Sequence, residues 1–313
     1  MTRAEANIVL FSITLCWASS YIFIKNLPPN LSSYAYMTMT AGLAAVILAI
    51  VFWQRLRELK GRLLLRSAIM AAIICANLVF ERLGISRIPA STASFVAALS
   101  IVFVPLFLLL LKQKPTRNNL LGIAFILCGL ILTSGIHRGA SLELGVLYMV
   151  VACIFMAIYI IVVDYFTKKD DPLLLGVGQM FFTAGIAFLL WCIEEPKTFF
   201  SLHYTNEMLA NIFLLAFFAR AYAYIMLMYA QKYANPISVT VIASTEPVVT
   251  MVLALLIPNT FGSTESFTLT KFIGAALIVV GAICAGTNFL EQINFFKKRG
   301  TLQDKEKRLS HNA

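Results

Sequence analysis

The chain has 313 residues, 60% of them hydrophobic and 13% charged, with a mean hydropathy of +0.83. A water-soluble domain carries about 25% charged residues, so a soluble single-core enzyme is excluded. The formal charge of +10 and a pI near 9.4 raise the question of nucleic acid, but Lys and Arg fall in short clusters between apolar runs, without the continuous basic stripe that a phosphate backbone requires.

Apolar runs of about 18 residues or more predict ten membrane spans, near 6–26, 32–53, 64–84, 90–111, 118–136, 143–166, 173–193, 207–230, 236–258 and 271–294. Ten crossings use about 200 residues and leave no room for a sizeable soluble domain. Met1 to Asn7 runs into the first span with no small-residue cleavage site before Lys25, so that span reads as a retained helix. Pro28-Pro29, Lys114-Pro115, Asp171-Pro172, Glu195-Pro196 and Asn235-Pro236 fall at the breaks, where prolines stop or start helices. With the loops alternating sides, 18 of the 25 Lys and Arg fall on one side, which predicts that both termini are cytoplasmic. Moving the count by one span cancels most of that asymmetry.

The second half repeats features of the first. Gly122 and Gly129 in the fifth span have the spacing of Gly274 and Gly281 in the tenth. Pro89-Ala90-Ser91 and Val104-Pro105 in the fourth are matched by Pro236-Ile237-Ser238 and Glu246-Pro247 in the ninth, although the proline spacings require a gap. Trp17 and Tyr21 are matched by Phe155 and Tyr159. Five spans per half is an odd number, so the second half enters the membrane inverted, an architecture in which transporters place their site near the midplane between the halves. The expected fold class is therefore an all-α integral membrane protein of ten transmembrane helices. They form two inverted five-helix repeats, 1–138 and 139–296, followed by a basic cytoplasmic tail, 297–313, suited to anionic headgroups.

Several stretches resemble the drug/metabolite transporter superfamily in its ten-helix EamA-like branch: Trp17-Ala18-Ser19-Ser20-Tyr21; Leu83-Gly84-Ile85 followed by Pro89 to Phe95; Phe103-Val104-Pro105-Leu106 leading to Leu111 to Pro115; Ala223-Tyr224; and Glu246-Pro247. The resemblance implies an inner- or plasma-membrane carrier that moves a small organic metabolite by alternating access. Two positions depart from the family pattern: Arg220, where a small or hydroxyl residue is usual, and Glu81, where an amide is common.

Ionisable groups inside hydrocarbon are costly and face a cavity or a partner. Arg220 and Glu246 each lie about ten residues from the inner ends of spans eight and nine, which places both near the midplane at 1.5 Å per residue. Two readings stand. In one they form a buried salt bridge locking the two helices. In the other Arg220 holds a substrate carboxylate or phosphate while Glu246 accepts an ammonium or a coupling proton. Pro247 suggests a kink beside the site, with Pro105 its counterpart. Glu81 is expected to face the cavity as a gate or proton-carrying acid, or to pair with Lys25, while Arg82 reaches for the headgroups. Asp164 is expected to pair with Lys168. Trp17, Tyr21, Phe95, Tyr159, Tyr224 and Gln179 are candidate cavity residues, since amphipathic aromatics offer both a stacking face and a hydrogen bond. The candidate substrate-binding set is thus Trp17, Tyr21, Glu81, Phe95, Tyr159, Gln179, Arg220, Tyr224 and Glu246.

Enzyme signatures are missing from the sequence. His137, His203 and His311 form no HExxH or other ligand cluster, and there is no GxxxxGK[ST]. The six cysteines are scattered singly through apolar segments, without a CxxC. No cofactor, no metal and no nucleic acid is expected. The expected partners are a small-molecule metabolite and the lipid bilayer, with protons a candidate coupling ion and the chain a monomer or a homodimer. The leading expectation is a secondary-active exporter or exchanger of a small polar metabolite such as an amino acid. Its alternatives are a lipophilic drug or cation exporter, and a non-transporting membrane sensor or structural protein.

Overall fold

A computed structural model describes residues 1–28, 31–133, 144–198, 204–257 and 268–286. They form thirteen α-helices: α1 (Arg3–Lys25), α2 (Ser33–Val51), α3 (Arg62–Ile85), α4 (Ala90–Ala97), α5 (Ser100–Leu110), α6 (Arg117–Thr133), α7 (Leu144–Thr167), α8 (Pro172–Glu194), α9 (Asn206–Leu214), α10 (Ala223–Gln231), α11 (Pro236–Ala243), α12 (Glu246–Leu256) and α13 (Leu269–Gly286). A 3-10 turn, Trp53–Glu58, precedes α3, and a π-helical stretch, Leu215–Tyr222, joins α9 to α10. Among the described residues there is no strand. The expected tail from 297, the join between the halves at 138 and 139, and all three histidines lie outside the described residues.

Eight stretches are long and apolar enough to cross a bilayer: Ala4–Lys25, Ser33–Val51, Arg62–Ile85, Ala90–Leu110, Leu144–Thr167, Pro172–Glu194, Asn206–Gln231 and Pro236–Leu256. The other two expected spans are represented by α6, of 17 residues, and α13, of 18. Local chemistry sets the ends. Thr2 and Glu5 form a reciprocal capping box on α1, with bonds of 3.2 and 3.0 Å. Asp171 accepts from the amides of Leu173 and Leu174 and is followed by Pro172, whose missing N–H is harmless in a first turn. Asn235 and Pro236 do the same for α11. The surface is apolar, with Ile50, Leu110, Ile193 and Leu256 each at least 70% exposed, as a lipid-facing belt requires.

The halves are interleaved. The long helix that opens the second half, α7, packs on α3, α4 and α5, and its counterpart α1 packs on the π stretch, α10, α11 and α12. The two-fold relation continues in α2 against α8 and in α6 against α13. In the α6/α13 pair the repeated glycines meet. A Cβ on Gly129 would lie 2.5 Å from the Gly274 carbonyl oxygen, and one on Gly281 would lie 2.6 Å from that of Gly122. Small residues are what allow backbones to approach so closely without a water-driven hydrophobic force between helices.

The fourth and ninth spans are broken rather than kinked. The fourth is interrupted at Ala98 and Leu99 between α4, of 8 residues, and α5, of 11. The ninth is interrupted at Ser244 and Thr245 between α11 and α12, again of 8 and 11 residues. This corrects the expected pairing of the two prolines. Pro247 does open the second half-helix next to its break, whereas Pro105 lies inside α5, past the break. The equivalent of Glu246 is Ser100, and no gap is needed between the two broken spans.

Candidate functional site

Both breaks and the π stretch converge on one cavity of about 60 Å³. Its wall comes from the later parts of α1 and α3, the early part of α7, the two breaks and the π stretch. Residues of α8 take no part in it. Trp17, Tyr21, Met149, Met156, Ile160 and Tyr224 supply apolar surface; Glu81, Arg220 and Glu246 supply charge; Ser20, Asn77 and Ser100 supply neutral polar groups.

The helix irregularities account for how the charges reach this space. A π stretch adds a residue to the turn and rotates side chains away from an α-helical register, and Arg220 lies within it. Glu246 is the first residue of α12, just past the break. Pro247 has no N–H to offer the Ala243 carbonyl four residues earlier, and Ala243 also lines the cavity. At the other break the thiol of Cys153 donates to the carbonyls of Val96 and Ala97, at 3.2 and 3.5 Å, so a side chain from α7 adds to the Leu99 amide, which bonds the Val96 carbonyl at 3.0 Å, in serving the backbone there.

Arg220 is 3% exposed and is held without a carboxylate. Its Nη2 donates to the Tyr36 hydroxyl at 2.5 Å and its Nη1 to the Tyr224 hydroxyl at 3.3 Å. The guanidinium carbon lies 5.6 Å from the centroid of each of those rings, a cation–π arrangement that favours the charged group where water is scarce. Its Nε is buried with no hydrogen-bond partner, as is Nε1 of Trp17. Buried donors are normally satisfied, so two unmet donors at one cavity are sites left for an acceptor to fill. Of the two readings of Arg220 and Glu246, the salt bridge is not formed: the ion pairs among the described residues are Arg55 with Glu58 and Asp171, Arg66 with Asp170, and Lys168 with Asp164. The guanidinium is turned toward α2 and its own helix, while Glu246 faces Tyr21. Glu81 lies near enough for its charge to act on both Arg220 and Glu246.

Of the nine candidate residues, the structure brings Trp17, Tyr21, Glu81, Arg220, Tyr224 and Glu246 to the cavity. Tyr159 and Gln179 lie behind it. The Tyr159 hydroxyl donates to Gln179 Oε1 at 2.9 Å, and its ring meets the Tyr224 ring edge-on at 5.9 Å. Phe95 faces away, in a separate core cluster with Ile101, Ile126, Val241, Met251 and Ile278. Arg82 does not reach for the headgroups. It is 3% exposed and donates to the carbonyls of Ile24, Pro28 and Leu31 at the end of α1 and in the following turn, of which Ile24 and Pro28 also accept from the amides of Leu27 and Leu31. Lys25 is directed at the Ile85 and Ile88 carbonyls instead of Glu81. Asp164 and Lys168 do pair, at 2.8 Å. Among the described residues no group of three His, Cys, Asp or Glu is gathered to hold a metal ion.

Sequence reasoning missed Tyr36, Asn77 and Cys153. No signal in the chain ties Tyr36 to a residue 184 positions away. Asn77 carried a usable one, a buried amide within an apolar run; its side chain donates to the Ala152 carbonyl at 2.9 Å.

The chain matches a family model described as the EamA-like transporter family twice, over residues 5–135 and 143–287. It is also similar to a solved structure described only as the crystal structure of a protein, with a TM-score of 0.68 at 16% identity, covering 91% of this chain and 97% of that one. No curated protein matches it in sequence. Two copies of the family's repeat, covering nearly all of an all-helical chain rich in membrane spans, assign it: the chain belongs to the EamA-like transporter family of the drug/metabolite transporter superfamily.

Proposed function

We propose that the protein is a secondary-active transporter, an exporter or exchanger, of a small polar metabolite bearing an anionic group, such as an amino acid. In this reading ten spans form two inverted repeats, 1–138 and 139–296, with a basic tail from 297 and both termini at the cytoplasmic face of the cell membrane. The observation that carries the reading is Arg220: a buried guanidinium beside the cavity, held only by tyrosine hydroxyls and rings, with Nε unmet. A substrate carboxylate would meet Arg220 Nε and Trp17 Nε1, and an ammonium would meet Glu246 or Glu81, which also suit a coupling proton. Charge-assisted bonds of this kind are about twice as strong as neutral ones.

The test is a thermal-shift screen of the detergent-solubilised protein against amino acids, sugar phosphates, nucleotide sugars and lipophilic cations, run beside Arg220→Ala. A ligand at a hundredfold excess over its Kd raises apparent stability by about 2.7 kcal/mol. Amino acids are expected to stabilise the wild type and to lose that effect in a folded Arg220→Ala variant. Equal stabilisation of both proteins by lipophilic cations alone would overturn the anion site and leave the two carboxylates as the binding groups.

A further inference from the structure

The cavity lies at the mid-span breaks, and the end of the bundle where α3 begins is closed by contacts of a different kind. Along α3, Asn77 and Glu81 face the cavity, while Arg66 and Ser67, about 15 Å or more down the same helix, meet the second half. Arg66 pairs with Asp170, with side chains 14% and 20% exposed, and its guanidinium lies 5.2 Å from the Phe166 ring. Arg55, in the turn before α3, bonds Asp171 at 3.0 Å and is steadied by Glu58. The Ser67 hydroxyl donates to the Leu175 carbonyl at 3.2 Å. A Cβ on Gly178 would lie 2.5 Å from Ser67 Oγ, so α3 and α8 approach this closely only because residue 178 is glycine.

All four ion pairs among the described residues lie at this end, and the two that join the halves both run from the turn before α3 or its start to the turn between α7 and α8. Part-exposed ion pairs contribute little each. They are poor material for holding a membrane bundle together and good material for a contact that has to open. We propose that Arg55–Asp171 and Arg66–Asp170, with the Ser67–Gly178 contact beneath them, are the latch that closes the path from the cavity to the basic end in one of the two states of the transport cycle. Releasing it separates α3 from α8 and closes the opposite access to the cavity in exchange. The inference rests on the alternating-access reading above, but not on which substrate is carried.

The experiment reads thiol accessibility and uses no substrate. In the full chain, purified in detergent so that both ends meet the reagent, one reporter keeps only Cys153, in the cavity, and a second carries only Ser67→Cys, at the latch. A small charged methanethiosulfonate is the probe. In Asp170→Asn/Asp171→Asn the rate at Ser67→Cys is expected to rise about tenfold while that at Cys153 falls. The swap Arg66→Asp with Asp170→Arg is expected to return both rates toward the starting values. Gly178→Ala, which wedges the same contact without touching a charge, is expected to act in the same direction as the neutralised pair. The latch is overturned by an unchanged Ser67→Cys rate in both variants, or by rates that rise together at the two reporters, which is loosening without exchange. Either result leaves the ligand screen at Arg220 untouched, and failure of that screen leaves the latch untouched.

Discussion

The two broken spans, Ala90–Leu110 and Pro236–Leu256, share a backbone and differ in chemistry. Each is cut into half-helices of 8 and 11 residues, and each presents its break to the same cavity. The residue that follows the break is Ser100 in the first half and Glu246 in the second. Cys153 serves the carbonyls of the first break, whereas Pro247 deletes a donor at the second. The first half supplies its carboxylate from elsewhere, through Glu81 on α3, and Arg220 belongs to the second half alone. Duplication has kept the scaffold that opens a polar space in the membrane, and the charges have then been distributed unequally over it. A cavity whose walls come from matching elements of the two halves thus carries unlike groups on its two sides, which is what the zwitterionic substrate proposed above would require.

The comparison breaks most visibly at those equivalent residues. Glu246→Gln is expected to lower transport by about 30-fold or more, since removing one partner of a buried charged contact costs at least about 2 kcal/mol. Ser100→Ala is expected to cost less than about fivefold, the scale of a neutral hydrogen bond. The assay is counterflow into proteoliposomes of whichever ligand stabilises the wild type. Equal losses at the two positions would mean that the breaks are chemically interchangeable, and would sink the assignment of a distinct role to Glu246.

A second contrast concerns α6 and α13, where the halves do remain alike. Gly129→Val and Gly281→Val each push a side chain against a backbone carbonyl and are expected to destabilise by about 1–3 kcal/mol, the usual range for overpacking. The two effects should be similar, because the contacts are reciprocal. Gly42→Ala meets nothing within 4 Å and is expected to be neutral or slightly stabilising. Thermal unfolding in detergent measures all three. Clearly unequal losses at Gly129 and Gly281 would show that the pair is less symmetric than its backbone.

Much of this was legible beforehand because the bilayer imposes long apolar runs and makes each charge within them conspicuous. The ends of α1, α3, α7 and α8 fall within about three residues of those read from apolar runs, and Arg220, Glu246 and Glu81 all face the cavity. The breaks were harder. Ala98 and Leu99 carry no helix-breaking chemistry, and Pro105, which does, sits in an intact helix, since membrane helices tolerate prolines where neighbours compensate. The mate of Arg220 was not legible for a related reason. Two charges on consecutive spans near the midplane left a pair and a ligand contact both open, and the π stretch turns Arg220 toward Tyr36, one of 11 tyrosines in the chain and unmarked by any local pattern. Phe95 carries a family-like motif and packs α4 onto its neighbours, a reminder that a matching segment marks a fold position before it marks a contact.

The smallest expected effect bears on the end of the bundle where α3 begins. Burial pushes the Asp171 carboxyl upward, but the Arg55 guanidinium and the amides of Leu174 and Leu173 outweigh it and hold the group below the usual carboxylate range. A carboxylate whose folded pKa is depressed contributes stability above its unfolded value, near 4, and loses that contribution as pH falls through the lower, folded one. Asn caps a helix about as well as Asp, so Asp171→Asn removes the charge while leaving the cap of α8. The difference in Tm between wild type and Asp171→Asn should therefore be constant from pH 8 to about pH 5 and shrink progressively as the pH falls below that. It should also be smaller than either glycine effect and shrink with added salt, as a part-exposed ion pair must. A difference that persists unchanged at pH 3 would assign the loss to the cap and not to the charge, and would remove Arg55–Asp171 from the latch, leaving Arg66–Asp170 and the glycine contact to close that end.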